Sequence, residues 1–135
     1  MRDETRTGPE YSLQFAERGG FLHVDVSCGV DSQPVRIAYW KALVAEAHAR
    51  GLRRMLVLDR MKENPATPQQ LAEMAMIFRD EAGNFDRIAV IERRPELLSA
   101  VEHGEILTRD LGINLRIFVD PAEAERWLRY GSPDD

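Results

Sequence analysis

Hydrophobic side chains recur along this chain with two beats, every second residue in some stretches and every third or fourth in others. Tyr11, Leu13 and Phe15 alternate with Ser12 and Gln14. Beyond Arg18-Gly19-Gly20, the residues Leu22, Val24, Val26 and Cys28 alternate with His23, Asp25 and Ser27. Alternation sorts side chains onto opposite faces of a strand, so these stretches predict an antiparallel hairpin with one apolar face. From Ile37 the apolar positions Trp40, Leu43, Val44 and Ala47 form one stripe at helical spacing and Gly51 supplies a stop, which predicts a helix over about 33–50. Residues 53–60 carry the short run Met55-Leu-Val-Leu58 bounded by charge, the pattern of a strand covered on both faces.

Thr67-Pro-Gln-Gln70 combines an N-cap hydroxyl, a proline at the first helical position and a glutamine at the third, so a second helix starts there as a capping box. Its expected core stripe is Leu71, Met74, Ala75 and Phe78, with Gly83 as its close. Residues 85–91 read as the next strand, and Pro95 opens a third helix with Leu97, Val101 and Leu111 on its buried side and Gly104 placed to interrupt it. Ile113, Leu115, Ile117 and Val119 predict a last strand. Asp120 and Glu123 repeat the capping pattern before a final helix carrying Ala124, Trp127 and Leu128.

The order is therefore β-β-α-β-α-β-α-β-α, an α/β class. Right-handed crossovers that all step in one direction place the helices mainly on one side of the sheet. Ser12, Gln14, His23, Asp25, Ser27 and Arg116 agree, since polar groups do not sit under a helix without partners. One domain over 11–130 is expected, between a disordered N-terminal leader over 1–10 and a polar tail over 131–135.

A chain of 135 residues buries roughly two-thirds of its unfolded surface without staples. Cys28 is the single cysteine, which excludes an internal disulfide and suits a reducing, bacterial-type cytoplasm. No apolar run is long enough to insert in a membrane, and residues 1–8 lack the apolar core of a signal peptide. A net charge of -5 repels phosphate backbones and argues against nucleic acid. Neither G-x-G-x-x-G nor G-K-[ST] occurs, and no cofactor is expected.

With F-D-R-I-A-V at 85–90 and R-I-F-V-D-P-A-E-A-E-R-W-L at 116–128, the chain resembles the SpoIIAA-like family over roughly residues 11–128. These are bacterial proteins often described as STAS/SEC14-type domains. The resemblance implies a five-stranded mixed sheet with an antiparallel first hairpin and four flanking helices. Better understood relatives are anti-sigma-factor antagonists, which bind a partner kinase unless a serine in a D-S-S-G sequence at the start of the second helix is phosphorylated. This chain has Asn64-Pro-Ala-Thr-Pro68 there, with Thr67 the nearby hydroxyl. A phosphate on Thr67 would add about 1.5–2 negative charges at a helix N-terminus, which favours anions. As an N-cap, Thr67 is fully accounted for without a phosphate, and that is the favoured reading.

Other candidate chemistry is weaker. His23, Asp25 and Ser27 share a strand face, but neighbours there stand about 6.6 Å apart along the strand, beyond the reach a nucleophile and base require. His23, His48, His103 and Cys28 lack metal-ligand spacing. Asp59 ends a central strand like a phospho-accepting aspartate, but only Asp31 and Asp120 stand where a receiver needs an acidic pair and a lysine. Open α/β sheets take ligands beyond the carboxyl ends of their strands, which makes Asp59, Arg60 and Arg93, with Glu92 and Arg94, a candidate anion or ligand edge. A helical wheel leaves Met76 and Ile77 turned from the core beside Glu73 and Asp80, a candidate face for a protein partner or a homodimer, and Leu98 and Ile106 pose the same question.

The expected function is a non-enzymatic cytoplasmic module acting by protein contact. The alternative is a carrier or sensor that holds a small apolar or lipid-like ligand in a cleft between helix and sheet, with Met55, Met61, Met74 and Met76 as an adaptable lining. An enclosed apolar cavity of about 300 Å³ or more favours the carrier, and a solid interior with an exposed patch on the second helix favours the contact module.

Overall fold

Pairing between backbones, more than side-chain pattern, makes the first strand. In the computed structural model, which describes residues 3–7, 11–27, 29–30, 32–61 and 66–131, β1 (Asp3–Thr7) runs antiparallel to β2 (Ser12–Arg18) from Thr7↔Ser12 to Asp3↔Ala16. Over Asp3–Thr7 this corrects the expectation of a disordered leader, and residues 1, 2 and 8–10 lie outside the described residues. The sequence DETRT has no apolar beat to announce a strand, but the outer edge of β2 offers it a row of hydrogen-bonding partners. Cys28, Asp31, Lys62, Asn64, Pro65 and the tail beyond residue 131 lie outside the described residues.

The alternating stretches form the hairpin as expected: β2 pairs antiparallel with β3 (Phe21–Ser27), and Arg18 faces Phe21 across the turn. Gly19 and Gly20 turn the chain with φ of 59° and 84°, a left-handed pair that side chains resist. β3 then pairs parallel with β4 (Arg54–Asp59), β4 with β5 (Arg87–Ile91) and β5 with β6 (Leu115–Phe118). Among the described residues the mixed sheet has six strands in sequence order. The five expected are all present, and β1 is the sixth.

Four helices flank the sheet among the described residues: α1 (Gln33–Arg50), α2 (Pro68–Ala75), α3 (Pro95–Asp110) and α4 (Pro121–Tyr130). Leu22, Val24, Val26, Met55, Val57, Ile88 and Val90 form one sheet face and pack with Val35, Tyr39, Trp40 and Leu43 of α1 and with Phe78. On the other face Phe21, Leu56, Ala89 and Ile91 pack beneath Ala124, Trp127 and Leu128 of α4. Each fully buried aliphatic side chain among them contributes roughly 1.5–3 kcal/mol. The expectation of helices mainly on one side thus holds for three, and α4 is the exception. Arg116 is accommodated under α4 by lying 5.3 Å from the Trp127 ring, a cation–π contact.

Two helices differ from expectation. The second helix does not reach Gly83: α2 tightens into a 3₁₀ turn over Met76–Phe78 and ends as Asp80 takes a φ of 68°. Gly104 does not interrupt the third helix, since α3 runs through it. A Cβ at Gly104 would stand 3.5 Å from Leu71 Cδ2, an ordinary van der Waals contact, so the packing of α2 against α3 does not require the glycine. Near the C-terminal end of α3, Glu105 Oε2 accepts the backbone N–H of Ile117 in β6 at 2.8 Å. No helix among the described residues is long and apolar enough to cross a membrane.

Candidate functional site

Between α1, α2 and α3 and the sheet lies a cavity of about 120 Å³. Its apolar wall comes from the inward stripes of the helices: Tyr39 and Trp40 of α1, Leu71, Met74 and Ala75 of α2, and Leu97 of α3, with Val90, Leu115 and Ile117 from the sheet. The room exists because α3 presents Ala100 and Gly104 at helical spacing where larger side chains would fill it. Trp40 meets Phe78 edge-on at 5.7 Å between ring centroids, which fixes the aromatic side of the wall. Of the four methionines expected to line a cleft, Met74 does so. Met55 and Met61 are fully buried in the core instead, and Met76 is exposed.

Arg36, Asp59, Glu92, Glu105 and Thr108 supply the polar part of the lining. Arg36 is 5 % exposed and lines the cavity; its Nη1 donates to Gln33 Oε1 over 3.4 Å, and Gln33 Nε2 donates to the Gln70 carbonyl at 2.9 Å. These bonds place the guanidinium between the first turns of α1 and α2. Glu92, 1 % exposed, is held by Arg94, and Asp59 Oδ1 accepts the backbone N–H of Met61 at 2.9 Å. Arg94 Nη1 also donates to the Met61 carbonyl, so one arginine ties the ends of β4 and β5 together.

The sequence did not single out Arg36, although it carried a signal. Arg36 precedes Trp40 by four residues and Leu43 by seven, which puts a charge on the apolar stripe of α1. A charged residue at a core-facing position marks either a buried partner or a site.

The predicted edge residues come together. Asp59, Arg60 and Arg93 line a second depression of about 420 Å³ beyond the carboxyl ends of β4 and β5, with Leu58, Ile91, Glu92, Arg94 and Pro121. Arg60 Nε pairs with Asp25 Oδ2 at 3.2 Å across that end of the sheet. Thr67 forms both halves of its capping box: its Oγ1 accepts the Gln70 N–H at 3.2 Å, and Gln70 Oε1 accepts the Thr67 N–H at 2.9 Å. The two candidate partner-face residues separate. Met76 is 48 % exposed, whereas Ile77 packs against the core, because the 3₁₀ turn rotates it off the position an α-helical wheel assigns. Ile106 is 57 % exposed and Leu98 is half-buried.

The histidines are dispersed. His23 is half-buried on β3, and burial first, then the Arg18 guanidinium, hold its pKa below the ordinary 6.5 against the opposing pull of Glu125 and Asp25. His48 Nε2 lies 2.7 Å from Glu81 Oε1 and its ring meets Phe85 edge-on, tying α1 to the turn that follows α2. Among the described residues no group of three or more histidine, cysteine or acidic side chains is placed to hold a metal ion.

An α/β mixed sheet with a helix-lined apolar cavity defines the class of the molecule. No family model and no curated protein matches the chain.

Proposed function

We propose that this chain is a binding module of SpoIIAA-like type, acting in the cytoplasm of a bacterial-type cell, that holds a small apolar ligand between α1–α3 and the sheet. The observation that carries this reading is the cavity of about 120 Å³ with its apolar wall. It falls short of the roughly 300 Å³ or more that would favour a carrier of lipid-like ligands, and is close to the roughly 150 Å³ that admits benzene in an apolar interior. The ligand is accordingly one ring or a short branched chain, not a long lipid. The role is capture or sensing, without chemical conversion of the ligand.

The test is methyl NMR of the full chain titrated with toluene. Shifts concentrated at Leu71, Met74 and Leu97, saturating together, are the expected result. Unshifted methyls at saturating toluene would sink the reading.

A second reading, regulation by protein contact, is supported by the exposure of Met76 and Ile106. It predicts a homodimer or a captured partner whose binding Met76→Lys abolishes without altering toluene shifts. The cavity supports the first reading more directly, since with Ile77 packed inward the apolar surface on the second helix narrows to Met76.

A further inference from the structure

We infer that the ligand of this cavity carries a carboxylate and that Arg36 is the group that receives it, an inference that rests on the binding reading above. A guanidinium has five N–H donors in a planar fork and stays charged at any physiological pH. Arg36 is buried as a residue, yet among the described residues its side chain bonds to Gln33 over a long 3.4 Å, and no carboxylate stands within ion-pair distance. A guanidinium in the lining of an apolar cavity with no carboxylate paired to it keeps donors for an anionic group that enters there.

The acids that share the lining are committed elsewhere. Both Glu92 oxygens are taken by Arg94, at 2.7 Å each. Asp59 accepts the Met61 N–H and lies 3.9 Å from Arg94, and Glu105 accepts the Ile117 N–H. Arg36 is therefore the cavity cation with donors to give. Its direction is set in advance, because Gln33 is itself anchored to the Gln70 carbonyl, so little ordering is left to be done on binding. A carboxylate meets such a fork through two parallel N–H···O bonds, while its ring or branched chain fills the space among Trp40, Met74 and Leu97. The chemical class that fits is a small apolar monocarboxylate on the scale of benzoate.

The experiment compares benzoate, benzamide and toluene by calorimetry and methyl NMR, on the full chain and on Arg36→Met. Charge-assisted pairing predicts that the unmodified chain binds benzoate about tenfold or more tighter than benzamide. Arg36→Met should erase that preference, leaving benzoate and benzamide with equal affinity. Benzamide and benzoate bound equally, with toluene also bound, would overturn the carboxylate inference and leave the cavity reading standing. Failure of all three probes would overturn both. Should Arg36→Met fail to fold, Gln33→Met removes the anchor instead, and a benzoate preference undiminished in that variant counts against Arg36 as the pre-set receiver.

Discussion

Arg94 grips Glu92 side-on, its Nε donating to Oε1 and its Nη2 to Oε2, each at 2.7 Å, while the Arg94 backbone N–H adds a third bond to Oε1 at 3.0 Å. The carboxylate so held is buried at the end of β5, where Glu92 would otherwise be an uncompensated charge.

Arg94→Met should therefore destabilise the fold by about 3 kcal/mol, most of it the penalty of the stranded carboxylate. Urea denaturation monitored by circular dichroism measures the loss. Adding Glu92→Gln to the same chain should recover part of it, because the charge is gone. A single Arg94→Met variant as stable as the parent would show that water reaches Glu92 freely.

Gly104 sits inside a helix that needs no break, and a methyl there meets Leu71 at ordinary van der Waals distance. Gly104→Ala is expected to stabilise by about 0.5–1 kcal/mol through helix propensity and to raise Tm by about 2–4 °C. The methyl also enters space beside the cavity, so toluene should bind more weakly to this variant. Calorimetric melting and the toluene titration report the two effects separately.

Thr67→Ala removes the hydroxyl that accepts the Gln70 N–H, and about 1 kcal/mol of stability should go with it. Thr67→Ser keeps the acceptor and should stay within about 0.5 kcal/mol of the parent. Urea midpoints of the two variants decide the matter, and equal losses in both would point to the threonine methyl instead.

His23 makes stability depend on pH in a defined sense. Its folded pKa lies below the ordinary 6.5, so between those two values the unfolded chain binds more protons than the folded one. Its contribution is complete above the ordinary value and is lost as the pH falls through 6.5 toward the folded pKa. His23→Gln should flatten this part of the stability profile, measured as Tm against pH from neutral to mildly acidic. An unchanged slope would mean that the loss belongs to other groups.

Much of this architecture was legible because its residues report their own neighbours. The stripe Trp40, Leu43, Val44 and Ala47 defines α1, and Thr67 with Gln70 defines the start of α2 by local hydrogen bonds alone. What stayed hidden depends on distant parts of the chain. β1 is held by the edge of β2, and α4 takes the far side of the sheet because Phe21, Leu56 and Ala89 leave an apolar floor there. Ile77 turns inward through a 3₁₀ turn that leaves no mark in the spacing. The edge residues Asp59, Arg60 and Arg93 were found by topology, since they follow strands that end together. Arg36 escaped because a lone charge on an apolar stripe reads as tolerance until its surroundings are known.

The bond from the Ile117 N–H to Glu105 has a consequence for how these molecules behave when crowded. β6 ends the sheet, and this donor is one that an incoming strand from another copy would need for pairing. A carboxylate already seated on it blocks recruitment there with a negative charge. Replacing Glu105 by a residue without an acceptor would leave that N–H open to edge-to-edge pairing with a strand of another copy.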